Sequence, residues 1–448
     1  MSSINHRILK NNHNIDVNFE GGNLSSDSGL LLIHEFIHQL GIDNVIKELF
    51  QTNDHAIFRI HTDFANFMQM LYQIIAGYFV DDRADSLKNE PVFTACLDKP
   101  ALASQPTISR FFNRMDETTL KQFEDIQKKM RSIIFSLPGQ RPNIMVFDLD
   151  TTLLNTYGDQ EGSAWNYHYQ SDGYHPKVCF NGLNGDLLRI ELREGTEYCS
   201  NSITEFMAPL FDEFTVKYPY TNLFLRGDSG FAAPELYEQC EANGCEYAIR
   251  LKLNSILIKK AEPFTRKLDE ATKDDKVSYA CVYGDFLYKA SSWNRERRVV
   301  CKIEKPYDSM IYQYTFIVTT ISSSPEWIVK YYCKRGTMEN YIKESKNGFD
   351  FSAVSSSSMI VNANRLQLHA VAYNIINWMK RFVFPGDMVD ATIETIRLKL
   401  IKIASRVVLH ARKVVFMLCS SCPYKDKFFQ ILDNIYNLHP NKYAVQVE

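Results

Sequence analysis

One short segment restricts the fold of this chain more than any other: NIMVFDLD, residues 143–150. Its apolar residues run together, with β-branched and aromatic side chains among them, which is the pattern of a buried strand. It follows LPGQRPN, whose proline and glycine mark a boundary. Downstream, SAWNYHYQ and LLRIEL read as two further strands. Ser202 to Lys217 reads as helix, TNLFLRG as strand, PELYEQCEANG as helix with Gly244 near its end, and CEYAIRLK as a fifth strand. Three strands, helix, strand, helix, strand is an α/β order.

The segments on either side have a different texture. Residues 28–137 carry apolar residues at helical spacing, in SGLLLIHEFIHQLG, TDFANFMQMLYQIIAGYFV and ETTLKQFEDIQKKMRSIIF. Between them, in SQPTISRFFNRM, Thr107 is placed to cap a helix with Arg110 and Arg114 one turn apart. That helix suits DNA contact or an ordinary exposed face equally well. Over 251–322, FLYKASSW, RRVVCKIE and YQYTFIVTT read as antiparallel strands. Helix returns at Pro325–Lys346, a serine run at 355–358 is a loop, and the chain from Ala363 onward is mostly helical with breaks at Pro385 and Pro423. At roughly 150 residues per domain, 448 residues suit about three domains. The pattern divides into 1–139, 140–250, 251–322, 323–350 and 351–448.

Composition excludes several classes. A 45% hydrophobic and 23% charged chain is neither disordered, nor collagen-like, nor a small disulfide scaffold. No apolar run reaches the ~18 residues that span a bilayer, and the first residues show no secretory pattern. The ten cysteines therefore read as reduced thiols. The net charge of −3 gives no global attraction to nucleic acid. Charge is nonetheless concentrated: Arg250 to Lys305 holds 14 basic and 8 acidic residues, and Arg397 to Lys427 holds 8 basic and one acidic.

Four features carry chemistry. In FDLDTT, Asp148 and Asp150 are two apart, so on a strand they share a face. Carboxylates at a strand end suit a divalent cation with oxygen ligands or a plain exit turn. In LFLRGDSGF, a strand runs into Asp228, at the strand end where sites form in α/β sheets, although Asp-Ser-Gly is also an ordinary turn. In WIVKYYCKRGTMENYIKESKNGF, Tyr332, Arg335, Glu339 and Lys346 stack on one helical face, as a functional stripe or as an ion-paired surface. In SSWNRERRVV, Trp293 lies beside Arg295, Arg297 and Arg298, which suits base stacking with phosphate contacts, or an inward-facing tryptophan. Cys419 and Cys422 form a lone C-x-x-C without a second ligand pair. His168 and His175 have no nucleophile partner in the sequence.

Together these residues resemble the DDE transposases of bacterial insertion sequences. The family helix reads Tyr, two residues, Arg, three residues, Glu, six residues, Lys; Tyr332, Arg335, Glu339 and Lys346 match without departure. The family's first aspartate lies on the first strand before a Thr pair, as Asp150-Thr151-Thr152 does, and its second follows the fourth strand, as Asp228 does. The motifs cover roughly 144–350.

The resemblance implies an RNase H-like mixed-sheet α/β core interrupted by a β-rich insertion at 251–322, with helical flanks that bind DNA. It implies cut-and-paste transposition: metal-dependent cleavage and strand transfer at insertion-sequence ends. Asp150, Asp228 and Glu339 would hold two Mg²⁺ ions, with Mn²⁺ as a substitute. Tyr332, Arg335 and Lys346 would position phosphates, and Trp293 with Arg297 and Arg298 would meet a base near the cut. The implied partners are double-stranded DNA, both transposon ends and target, and a second copy of the chain, with no membrane. The implied place is a bacterial cytoplasm, at the nucleoid. Asp148, deeper in the strand, is expected to support Asp150. Two rivals stand beside this reading. One is a haloacid dehalogenase-type phosphatase, with Asp148 as nucleophile and Asp150 as general acid. The other is a catalytically inactive DNA-binding relative.

Overall fold

A computed structural model describes residues 6–54, 56, 58–272, 279–306, 311–411 and 413–440. The chain forms two compact units. One comprises Met1–Pro138, Gly348–Ala353 and Val371–Glu448; the other comprises Gly139–Asn347 and Val354–Ala370.

The second unit is built on β1 (Ile144–Thr151), β2 (Lys177–Asn181), β3 (Leu187–Glu191), α1 (Ile203–Lys217), β4 (Asn222–Gly227), α2 (Pro234–Ala242) and β5 (Glu246–Leu251). It continues with α3 (Ser255–Ala271), β6 (Ala280–Tyr288), β7 (Arg297–Lys305), β8 (Gln313–Thr319), α4 (Pro325–Cys333) and α5 (Thr337–Phe349). The strands form one eight-stranded sheet in the order β6-β7-β8-β5-β4-β1-β2-β3. Strands β1, β4 and β5 are mutually parallel, while β2 is antiparallel to β1 and β3 to β2. The half-sheet 3-2-1-4-5 is thus RNase H-like, and the chain is a mixed α/β protein as expected.

Strand β1 is central because both its faces are covered. Met145, Val146, Phe147 and Leu149 are at most 2% exposed. Phe147 packs edge-on against Phe211 and Phe214 of α1, with centroids 5.7 and 5.5 Å away. The even-numbered residues point to the other face. There, Ile328 and Val329 of α4 join Ala248, Val300 and Ile317 of β5, β7 and β8 in one buried cluster, with Tyr331 and Tyr332 against it. That cluster is what lays α4 over the sheet.

Three segments differ from the sequence reading. The second core strand is Lys177–Asn181, buried at every position, and not SAWNYHYQ. The latter supplies only Ala164–Asn166 to a separate three-stranded sheet with Ser171–Tyr174 and Leu154–Asn155, because its aromatic residues face solvent. The 251–322 stretch opens with the helix α3, capped by Asn254, and its strands extend the central sheet through β8 on β5. The helix expected at Pro325–Lys346 is two helices joined by a 3₁₀ turn, Lys334–Gly336.

The first unit carries helices at Leu30–Gln39, Ile42–Leu49, Asp63–Ala76, Gln105–Asn113 and Glu117–Ser136. Its core includes Phe50, Phe67 and Phe123, with centroids 4.9 to 5.5 Å apart. Asp116 opens the last of these helices with a capping box. Ser104, rather than Thr107, precedes the helix expected to start near Thr107, and Arg114 ends it in ion pairs with Asp54 and Asp63. The C-terminal flank is not wholly helical. Ser405–His410 and Lys413–Leu418 form a hairpin beside Leu24–Ser25. Paired β-branched residues, Val407-Val408 and Val414-Val415, favour strand there. Among the described residues no helix is long and apolar enough to cross a membrane.

Truncating Phe147 tests the placement of α1. Phe147→Ala should cost about 3–5 kcal/mol, since the buried ring leaves a cavity; chemical denaturation reads the loss. A cost below about 1 kcal/mol would mean that the contact with α1 is not tight.

Candidate active site

The parallel register of β1 and β4 builds the site. Asp148 lies opposite Arg226 and Leu149 opposite Gly227, so one step further Asp150 stands beside Asp228. Neighbouring strands run about 4.8 Å apart, and residues opposite one another share a face. A two-by-two block results, with an ion pair inside and two carboxylates at the strand ends.

The inner half is closed. Arg226 donates Nε and Nη2 to the two Asp148 carboxylate oxygens, both at 2.6 Å, and both residues are at most 2% exposed. Its Nη1 donates to the Tyr331 carbonyl at 2.8 Å, and its guanidinium lies 5.0 Å from that tyrosine's ring centre. Burial raises the Asp148 carboxyl, while Arg226 and Arg335 pull it down. Gly182 leaves room for the pair: a Cβ there would lie 2.4 Å from Asp148 Oδ2 and 2.5 Å from Arg226 Nη2. Asp148 is therefore enclosed, and the phosphatase reading fails on it: both oxygens of the required nucleophile are bound to Arg226 inside the protein.

The outer half is where the carboxylates gather. Asp228 accepts from the Gly230 N–H at 2.9 Å, which tightens the turn after β4. Gly230 must be small, since a Cβ would sit 2.9 Å from Cys199 Sγ. Asp150 accepts from the Thr151 N–H at 2.9 Å and pairs with Arg335, Nη2 to Oδ2, at 2.9 Å. Arg335 also donates to the Leu149 carbonyl, from Nη2 at 2.9 Å and from Nε at 3.3 Å. Burial raises the Asp150 carboxyl; Arg335 and the Thr151 N–H oppose this, and the charge of Asp228 adds to it. Burial works against the charge of Arg335, and Asp150, Tyr332, Asp228 and Asp148 outweigh it.

The signature helix lies across this end of the sheet. Lys346 donates to the Leu153 carbonyl at 2.7 Å, and burial lowers its pKa. Arg335 and Lys346 thus fix the start and the late part of the helical segment to the exit of β1. Glu339 stands exposed between them, one turn beyond Arg335, with no hydrogen bond or ion pair among the described residues. Tyr332 is half-buried, raised by burial, against the cluster under α4. The structure therefore brings Asp150, Asp228 and Arg335 together and leaves Glu339 outside. Among the described residues no group of three His, Cys, Asp or Glu side chains is close enough to hold a metal ion. Asp150 and Asp228 offer carboxylate oxygens, the donor type that a hard divalent cation takes.

The residues expected at a base do not face outward. Trp293 is 5% exposed, boxed edge-on by Tyr237 and Tyr288 at 5.4 and 5.2 Å. Arg297 is buried beside it and pairs with Glu241 at 2.8 Å. Arg298 pairs with Asp285 at 2.7 Å and donates to the carbonyls of Ile321 and Ser323. An arginine-rich strand buries one face, and here the cations hold the sheet to α2 and to the β8–α4 loop. The stacking role is corrected accordingly. Cys419 and Cys422 remain separate thiols.

Sequence reasoning missed Arg226, Gly182, Tyr169, Cys199, Tyr198 and Lys252. The Tyr169 hydroxyl donates to the Thr151 carbonyl at 3.3 Å, and burial with Asp150, Cys199 and Asp228 pushes it up to about 12. Lys252 Nζ donates to the Tyr198 hydroxyl at 2.8 Å. Arg226 alone had a signal: it directly precedes Gly-Asp-Ser-Gly on a strand otherwise apolar.

Two outcomes follow. Arg226→Met leaves the Asp148 charge buried and unpaired and should cost about 3–5 kcal/mol, much of it recovered by adding Asp148→Leu; urea denaturation of the single and double variants decides this. A raised carboxyl pKa makes the folded state bind its proton more tightly than the unfolded one. Asp150 thus favours folding below its ordinary value of 3.8 and loses that contribution as pH climbs through its own higher value. The melting temperature of Asp150→Asn, relative to wild type, should rise over that window, and a difference independent of pH would contradict the shift.

Comparison with known proteins gives the following. The family model for the transposase DDE domain, group 1, matches residues 8–440. A cryo-EM structure of a piggyBac transposase synaptic complex with hairpin DNA is similar at 12% identity and a TM-score of 0.42, over 93% of this chain and 86% of that one. No curated protein matches.

Proposed function

The chain belongs to the transposase DDE domain family, group 1, and from that premise we propose that it carries out metal-dependent cleavage and strand transfer at the ends of an insertion sequence, by cut-and-paste. The observation that carries this reading is the register of β4 on β1, with Gly227 opposite Leu149, which sets Asp228 and Asp150 next in line at the ends of two central parallel strands, with Arg335 of the signature helix on Asp150.

In this reading Asp150 and Asp228 hold divalent cations, Mg²⁺ or Mn²⁺, and Glu339 supplies the third carboxylate from the first turn of α5. Bound divalent ions would activate the attacking oxygen and neutralise charge on the leaving one. Arg335 and Lys346 fix α5 to the Leu149 and Leu153 carbonyls, so they set where Glu339 can reach as well as meeting DNA phosphates, with Tyr332 beside them. Water or a 3′-hydroxyl forms the new P–O bond as the old one breaks in line, and no covalent protein intermediate is needed. The partner is double-stranded DNA, as transposon end and as target. Joining two ends calls for a homodimer on DNA, in a bacterial cytoplasm at the nucleoid.

Asp228→Ala and Glu339→Gln should each reduce Mg²⁺- or Mn²⁺-dependent cleavage of end-containing DNA by at least about 10²-fold, with gel-shift affinity for the same DNA largely kept. Near-normal cleavage by either variant would remove that residue from the metal site.

A further inference from the structure

The C-x-x-C of Cys419 and Cys422 takes no part in the site described above, and the fold shapes it for a reaction of its own. The hairpin Ser405–His410 and Lys413–Leu418 runs through this pair into the helix Lys425–Tyr436. The turn is anchored at both ends. The Cys419 N–H donates to the Ala404 carbonyl at 2.9 Å, and the Cys422 N–H donates to the Cys419 carbonyl at 3.1 Å. A turn closed in this way keeps its outer α-carbons within about 7 Å, and a disulfide spans about 4.4–6.8 Å. The backbone thus already stands near the spacing that a bond between the two sulfurs needs.

The two thiols are not equivalent. Cys419 is exposed and Cys422 is half-buried. The Ser421 hydroxyl lies 3.2 Å from Cys419 Sγ. That hydroxyl, with the N–H groups of Ser421 and Cys422, holds the Cys419 thiol below its ordinary value. Burial does the opposite elsewhere: it pushes Cys96 and Cys301 up to about 12 and raises Cys199 and Cys245. Thiolate character and access together decide which cysteine attacks, and both select Cys419. Cys419 and Cys422 also line one cavity of about 220 Å³, with Leu418, Phe428 and Lys425. Lys425 has no ion pair among the described residues. An anionic group that enters beside Cys419 therefore meets an unpaired ammonium.

We propose that Cys419 and Cys422 form a reversible thiol–disulfide site whose oxidant is a small anionic disulfide of the glutathione type. The Cys419 thiolate attacks one sulfur of that disulfide; the old S–S bond breaks, one thiolate leaves, and a mixed disulfide remains on Cys419. Cys422, as thiolate, then attacks Cys419 Sγ and expels the second small thiolate. Two protein thiols are oxidised, one small disulfide is reduced to two thiols, and the two protons of the cysteines pass to the leaving thiolates. Excess reduced thiol runs both steps backward. The pair lies in the other compact unit from Asp150 and Asp228, and the proposal stands apart from the transposase reading. Its test equilibrates the full chain with glutathione buffers of rising oxidised fraction, alkylates the remaining thiols and maps the peptides by mass spectrometry. In wild type, Cys419 and Cys422 should pass from two alkylated thiols to one disulfide, and reduced glutathione should reverse this. Cys422→Ser should retain glutathione on Cys419, and Cys419→Ser should lose both the disulfide and the adduct. Lys425→Gln should slow oxidation by glutathione disulfide and leave oxidation by the neutral hydroxyethyl disulfide unchanged. A pair that stays reduced while the exposed Cys333 is modified, or a glutathione adduct on Cys419 that persists in wild type, would overturn the site. An unaltered rate for Lys425→Gln with glutathione disulfide would overturn the anionic preference.

Discussion

Arg226 and Asp148 are buried together between two parallel strands, and the geometry of the site hangs on that ion pair. A guanidinium and a carboxylate are tolerated inside a sheet only when each hydrogen-bonding group is met. Two bonds to Asp148 and one to the Tyr331 carbonyl meet that demand. The pair thereby fixes the register of β1 against β4 and also the end of α4, three elements distant in sequence. A one-residue slip would turn Asp150 and Asp228 to opposite faces, and it would also bury two uncompensated charges. The register that the site needs is the one that burial enforces.

From there the arrangement passes outward by short steps. The Tyr331 carbonyl is held, so Tyr332 and Arg335 follow at fixed spacing, and Arg335 reaches Asp150 and the Leu149 carbonyl. Placing two carboxylates side by side is unfavourable on its own, as the raising effect of the Asp228 charge on Asp150 shows. A cation brought by the signature helix offsets this, so the helix and the aspartates are coupled electrostatically as well as by packing. Any cation that binds the aspartate pair competes with Arg335 for Asp150 and acts through it on the helix that bears Glu339.

Much of this was legible in the sequence because the signals are local. NIMVFDLD is apolar on both faces, and a strand of that kind belongs in the middle of a sheet. The four-residue stripe from Tyr332 to Lys346 keeps helical spacing even though the helix is broken at Lys334–Gly336, because a 3₁₀ turn leaves residues on nearly the same side. What was misread depended on partners far along the chain. SAWNYHYQ has strand composition, but the sheet takes Lys177–Asn181 instead, since only that segment is buried throughout. Trp293 beside three arginines looked like a nucleic-acid surface; Glu241 on α2 turned it into a core. Arg226 was passed over because one basic residue in an apolar strand has no periodicity to betray it.

The same logic explains why counting charge along the chain locates no DNA face. Of the basic residues between Arg250 and Lys305, Arg295 and Arg297 are spent on Glu241, Arg298 on Asp285 and Lys302 on Glu304. In the C-terminal stretch Arg397 is buried against the Ile74 and Ile75 carbonyls, and Lys402 pairs with Asp27. A linear count credits each of these to the surface, yet each neutralises an acidic group or a backbone dipole within its own unit. Lys252 differs: its ammonium bonds to a tyrosine hydroxyl, a neutral partner. Net charge along the chain thus says less about the surface than which cations the fold has left uncompensated, and where.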